Sequence, residues 1–187
     1  MVRVASPRSL LTAVLVLCAL LALPAAADAK RKGACANANV APVAANVELV
    51  RAAVLCLHNR ERTARGLPKL TEHADLRAAA EDHAAHMVDA RFFDHDAPDG
   101  TDMADRILGT GYARGQGWSL GENIAWGSGP LATAQAIHRA WMRSPGHKAN
   151  ILRRQFREIG IGIALGAPAD TDGQPGATYT ADFGVRR

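Results

Sequence analysis

The sequence predicts an α+β fold, with helices first and a small antiparallel sheet at the end. Changes of period support this. From about residue 46 to 65, from 73 to 90 and from 131 to 141, apolar residues recur at helical spacing. After Glu158 the period becomes two. Glu158 to Leu165 alternates glycine with large aliphatics, and Ala177 to Val185 alternates as well. Pro168 to Gly176, rich in Pro, Gly and Asp, lies between them, so the pair reads as a hairpin with a long loop. Helices packed on a small sheet are the layers that such an order specifies.

The first 29 residues stand apart from this fold. Arg3 and Arg8 form a basic start, Leu10 to Leu23 is apolar, and Pro24 precedes Ala25-Ala26-Ala27-Asp28-Ala29. This is the pattern of a secretory signal with a small-residue cleavage site, after Ala29 or alternatively after Ala27. The apolar run is shorter than the roughly 20 residues of a spanning helix. Cys18 follows Leu17, whereas a lipoprotein cysteine follows a small residue, so no lipid anchor is expected. The mature chain is expected to be secreted, with no membrane span. Hydrophobic content of 48% and charge of 21% suit a folded soluble chain. A net charge of +4, scattered along the chain, gives no reason to expect nucleic acid. Nothing in the sequence marks an oligomeric state.

Secretion governs the cysteines. Cys18 leaves with the signal, and Cys35 and Cys56 remain. Two cysteines in an oxidising compartment most simply pair, with two free thiols as the alternative. The bridge would tie the irregular segment 30–45 onto the first helix of the domain 46–187.

That helix is expected from Asn46, as its cap, to about Arg65. Val47, Val50, Val54, Leu57 and Leu55 form its apolar stripe, with Arg51, Arg60 and Glu61 away from it. Gly66 and Pro68 end it. His58 reads as a partly exposed helix residue. A second helix runs from about His73 to Ala90, with Leu76, Ala79, Ala80, His83, Met87 and Ala90 on one face. His83 and His86 are three apart, but there is no His-Glu-x-x-His pattern. His83 reads as a structural histidine. Phe92 and Phe93 are expected in the core.

Asp94-His95-Asp96 then precedes a Pro98-Asp99-Gly100 turn. Carboxylates beside His95 would orient it and raise its pKa. Thr101 to Leu108 reads as a short helix and Gly109 to Gly117 as a flexible crossing. Glu122 lies alone in the apolar, aromatic run Trp118 to Gly127. A buried carboxylate needs a cation, a donor or a metal, and pairing with an Arg is the structural option. Finally Leu131, Ala134, Ile137, Ala140 and Trp141 share a helix face. Ser144-Pro145-Gly146 interrupts it: Pro145 biases Ser144 away from helix, and Gly146 tolerates a tight backbone. His147 follows the break, placed either at the lip of a cleft or in solvent within a helix–turn–helix.

These residues resemble the CAP superfamily, named for cysteine-rich secretory proteins, antigen 5 and pathogenesis-related 1, and in particular its secreted bacterial, SCP-like branch. The matching pieces are Leu57 to Arg62 with Gly66-Leu67-Pro68, Phe93-Asp94-His95 with Pro98-Asp99-Gly100, Gly121 to Ala125, Trp141 to Leu152, Gly160-Ile161-Gly162, and Tyr179 with Asp182-Phe183-Gly184. The resemblance implies an α–β–α sandwich around a small antiparallel sheet. It also implies a cleft in which two histidines and two acids can hold a divalent metal. His95 and His147 match the histidines and Glu122 matches one acid. The position of the other acid, three residues after the helix tryptophan, is Ser144. His95, Glu122 and His147 are therefore the expected ligands of Zn2+ or another divalent cation, with Ser144 beside them.

Two functions follow from the resemblance. The first is a secreted binding module whose cleft engages a lipid-like or cell-envelope ligand, with metal tuning it. The second is a metal-dependent hydrolase or peptidase using the same cleft, with Glu122 as base or ligand. No nucleophile, base and orienting group are legible together, so no catalytic residue is assigned and binding is the favoured reading.

Overall fold

The computed structural model describes residues 34–114 and 117–187, and the secretory segment read at 1–29 lies outside them. Cys35–Arg187 forms one compact unit. No helix among the described residues is long and apolar enough to cross a membrane.

Helix α1 (Val47–Thr63) buries Val50, Val54 and Leu57 of the expected stripe and Ala53 besides, while Val47 and Leu55 are only partly buried. Asn46 occupies its N-cap but gives it no side-chain bond. Its amide turns back instead, accepting from the Val43 N–H at 2.8 Å and donating to Ala41 O at 3.0 Å. An Asn side chain serves a preceding turn as readily as a helix start. Gly66, at φ +65°, carries the chain away from the helix end. Cys35 and Cys56 are bonded, with Cα atoms 5.7 Å apart, so the irregular segment is stapled to α1 as expected. The Gln135 N–H adds a second tie, donating to Ala38 O at 2.7 Å.

Next come β1 (Thr71–Glu72), α2 (Ala74–Asp89) and α3 (Met103–Gly109), the last opened by a reciprocal Asp102–Asp105 cap. Strand β2 (Trp118–Ser128) leads through a 3₁₀ turn to α4 (Ala134–Arg143) and α5 (Pro145–Leu152). Strands β3 (Glu158–Leu165) and β4 (Gly176–Arg186) close the chain. The sheet order is β1-β3-β4-β2, antiparallel except for the short parallel β1–β3 pair. The expected hairpin is β3–β4. Strand β2 was not legible as a strand, because its centre is buried without interruption from Leu120 to Ile124 and so shows no alternation.

The alternation in β3 sets the layers. Gly160 and Gly162 face α2, whose backbone lies directly over them. A Cβ at Gly160 would fall 2.0 Å from Leu76 C, and one at Gly162 would fall 2.0 Å from Ala80 O. Ile159, Ile161 and Ile163 face the other way. There they join Val54, Leu57, Ile137, Trp141, Ile151 and Phe156 in the main core with α1, α4 and α5. Helices thus cover both faces of the sheet.

Several side chains sit elsewhere than the sequence suggested. Arg51 is buried, not turned away. Its Nε donates to Ile161 O at 2.8 Å, capping the edge of β3 beyond the end of β1, and its guanidinium pairs with Glu48 and Glu81. His58 is fully buried, because α4 lays Trp141 and His138 over it. Phe93 is 45% exposed, while Phe92 is half-buried against His83 and His86. Leu131 and Ala140 are exposed, since the 3₁₀ turn shifts the phase of α4 onto Ala134, Ile137, His138 and Trp141. Gly146 is an ordinary helical residue with open space around it; Pro145 alone makes the break.

Candidate functional site

The strand period decides which groups meet. Glu122 pairs with Asp182 across β2–β4, and Asp182 with Gly160 across β4–β3. Directly paired residues share a face, so both carboxyls lie on the α2 side. Neighbouring Gly121 and Asn123 lie on the opposite side, against Asn150 of α5.

Glu122 is the centre of the site, its side chain 1% exposed. His95 Nδ1 lies 2.7 Å from Oε1, and Arg106 Nη2 on α3 donates to Oε2 at 2.8 Å. Burial alone would raise the Glu122 pKa, but His95 and Arg106 outweigh it and hold the carboxylate ionised. The structural option foreseen for Glu122, pairing with an Arg, is met by Arg106, and His95 takes the other oxygen. Asp182 behind it is fully buried, and burial together with the negative charge of Glu122 pushes its pKa well up. Two ionised carboxylates facing across one register pair would repel, so Asp182 keeps its proton.

His95 stands on the loop after α2, its side chain about half exposed. Its pKa is raised, first by the bond to Glu122 and less by the charge of Asp94. The main orienting carboxylate is thus Glu122, not the flanking acids. His83, fully buried on α2, lies 3.0 Å through Nε2 from Asp94 O and so fixes the loop that presents His95. Burial keeps His83 neutral by lowering its pKa.

His147 comes from the other layer. It is the third residue of α5, half-buried, and its backbone oxygen accepts from Asn123 Nδ2 at 3.0 Å. Burial, then the nearby charge of His95, lowers its pKa. Asn150 Nδ2 bonds both Glu122 O and Asn123 Oδ1 at 3.0 Å, and Trp141 Nε1 bonds Ile124 O at 3.0 Å. These bonds occupy outward carbonyls of β2, which is an edge strand. Ser144 is extended and its hydroxyl caps nothing in α5.

The three expected ligands do not fit a shell of three protein groups. Both oxygens of Glu122 are engaged, one by His95 and the other by Arg106. Among the described residues no group of three or more His, Cys, Asp or Glu side chains could hold a metal ion. What the arrangement offers is two imidazoles. The Glu122 bond at Nδ1 leaves His95 Nε2 with its lone pair, as a carboxylate behind a ligating histidine does. Beside His95 lies a cavity of about 320 Å³, lined also by Asp96, Asp102, Met103, Ala104 and Glu122.

Sequence reading missed Arg106 and Asp182. Asp182 had a signal like that of Glu122, a lone acid in a strand-forming run. Arg106 had none, since an arginine on a short polar helix is ordinary.

Sheet, layers and cleft define an α+β domain of the secretory-protein type. The model of the cysteine-rich secretory protein family (CAP) matches residues 55–180, and the chain belongs to that family. The uncharacterized protein YkwD of Bacillus subtilis strain 168 is 35% identical over 109 residues, covering 58% of this chain and 40% of YkwD. An extracellular SCP-domain protein of Bacillus anthracis is 25% identical at a TM-score of 0.56, over 78% of this chain and 45% of that one. An outer surface protein of Borrelia burgdorferi has the same fold at a TM-score of 0.62 and 21% identity, over 76% of this chain and 96% of its own. The chain thus spans less than half the length of the two Bacillus relatives.

Proposed function

We propose that this chain is a secreted binding module whose cleft beside His95 takes a lipid-like or cell-envelope ligand. Secretion rests on the signal pattern at 1–29 and accords with the Cys35–Cys56 bridge. The observation that favours binding over hydrolysis is the double engagement of Glu122. A general base needs a free oxygen within reach of the proton it removes, and here one oxygen is held by His95 and the other by Arg106. His95 meanwhile borders a cavity with an apolar floor of Met103 and Ala104 and an acidic rim of Asp96 and Asp102. That mixture suits an amphiphile with a polar or cationic end.

A divalent metal, zinc or another, would be held in this reading by His95 and His147 with water, and Glu122 would orient His95 from behind. It would tune the cleft by adding a positive charge there. Binding should weaken as pH falls, because the imidazoles must be neutral to ligate. Calorimetry with zinc is the test. Wild type should bind at neutral pH, and His147→Ala should not bind while keeping its thermal midpoint. Equal zinc affinity in the two proteins would remove this site. Metal-dependent hydrolysis is examined by incubating the protein with a mixed peptide and envelope pool, with zinc and with chelator. Turnover that stops with chelator and in Glu122→Gln would replace the binding reading.

A further inference from the structure

Between Glu122 and Glu158 the chain has no Asp or Glu, yet it contains Arg139, Arg143, Lys148, Arg153, Arg154 and Arg157. This stretch includes both α4 and α5. Arg139 and Arg143 are one turn apart on α4 and both are exposed, as is Lys148 on α5. Among the described residues these three make no ion pair, whereas Arg51, Arg77, Arg106 and Arg186 all do. Between the helices runs a groove of about 430 Å³, lined by Met142, Arg143, Pro145, Lys148, Ala149 and Leu152. It shares no residue with the lining of the cavity at His95.

We propose that this α4–α5 face docks on an anionic phospholipid surface. Arg143 and Lys148, with Arg139 one turn behind, meet the phosphate headgroups, and Met142, Pro145, Ala149 and Leu152 take acyl-chain methylenes. Charge and lining together select this occupant. A neutral apolar ligand would leave the cations unanswered, and an anionic polymer without chains would leave the apolar floor unused. Long cationic side chains suit such a boundary, with stems on apolar surface and heads at the phosphates. The face stands independently of the reading of the His95 cleft.

The test is co-sedimentation of the chain from Lys30 onward with vesicles of phosphatidylcholine alone or with a one-third share of phosphatidylglycerol. Removing the secretory segment 1–29 takes away Arg3, Arg8 and the apolar run Leu10 to Leu23, which would bind anionic vesicles by themselves. Phosphatidylglycerol should increase binding, and salt should suppress the increase. Arg143→Glu and Lys148→Glu should each cut the increase by about fivefold or more, and the double variant should abolish it. Met142→Gln with Leu152→Gln should weaken binding without changing its salt dependence. Lys69→Glu, at an exposed position elsewhere, and His95→Ala, in the other site, should leave it intact, so the two sites fail separately. Unchanged thermal midpoints establish that the variants fold. An undiminished increase in the double charge variant would overturn the proposal. So would complete displacement by poly(glycerol phosphate) together with no effect of the Met142 and Leu152 substitutions, which would assign the face to a polyanion.

Discussion

His58 and His95 lie on opposite faces of the sheet, and their surroundings shift the imidazole pKa in opposite directions. On the α1 side His58 is buried against Trp141, His138 and Phe183. Its Nδ1 lies 2.9 Å from Val54 O, and burial lowers its pKa to about 3, with His138 lowered to about 4. On the α2 side His95 is half exposed, bonded to an ionised Glu122, and its pKa is raised. The side chain is the same and the partner differs. The Val54 carbonyl offers too little compensation to offset burial of a charged imidazole, whereas a carboxylate held ionised by an arginine offers enough. The first group is packing and the second is chemistry.

The sharpest way to break the α1 side is at Arg62. It is fully buried and has no carboxylate partner among the described residues; it donates instead to Pro68 O, Ile151 O, Arg153 O and Phe156 O at 2.8–3.0 Å. These bonds tie the end of α1 to the chain between α5 and β3. Arg62→Ala strands several buried carbonyls and should cost about 3–5 kcal/mol, read from the denaturant midpoint. Arg62→Lys should recover only part of this, because an ammonium cannot span the four oxygens of the guanidinium fork.

Acid should then separate the two faces. The folded pKa of His58 lies below its ordinary 6.5, so its neutral burial gives stability that is full above about pH 6.5 and is lost as pH falls towards 3. Urea midpoints measured from pH 7 to 4 should fall by a few kcal/mol in total, at up to about 1.4 kcal/mol per unit for each histidine being charged. His58→Phe should make this limb shallower. His95 has the reverse sign. Its folded pKa is raised, so its contribution is full below 6.5 and fades as pH rises through the folded value. An acid limb unchanged in His58→Phe would break the contrast.

Reduction of Cys35–Cys56 should cost about 2–4 kcal/mol and loosen residues 35–45 first, since the bridge and the Ala38–Gln135 bond anchor that segment. Hydrogen exchange under reducing conditions should show early opening there and none at Glu122. The smallest effect is expected at Asp182. As a neutral acid it resembles an amide, so Asp182→Asn should change stability by less than about 1 kcal/mol. A loss of several kcal/mol would mean that Asp182 is ionised and that the charge pattern of the cleft differs from the one described.

Local pattern reached far into this molecule. Helices α1 and α2 end within about two residues of their expected limits, the β3–β4 hairpin is where the period changes, and the Cys35–Cys56 bridge follows from count and compartment. Glu122 was legible as a candidate because a charge in an apolar run needs a partner, and His95 because carboxylates flank it; only the family resemblance put the two in one cleft. Their direct contact was not legible, since no spacing rule relates a loop residue to a strand residue far along the chain. His147 stands just after the helix break at which the sequence placed it. Position 122 faces α2, and α5 packs on the side that positions 121 and 123 face.

The sequence alone determined the elements with strong period and the breaks at Gly66, Pro68 and Pro145. Each depends on neighbours a few residues apart, which is the range over which period and turn chemistry act. Tertiary structure decided the rest. It made β2 the edge strand by pairing it with β4, buried Arg51, His58 and Arg62 against elements remote in the chain, and brought Arg106 to Glu122 and Asp182 behind it. A buried charge or imidazole is settled by whatever partner the fold delivers, and that partner is a property of the assembled layers.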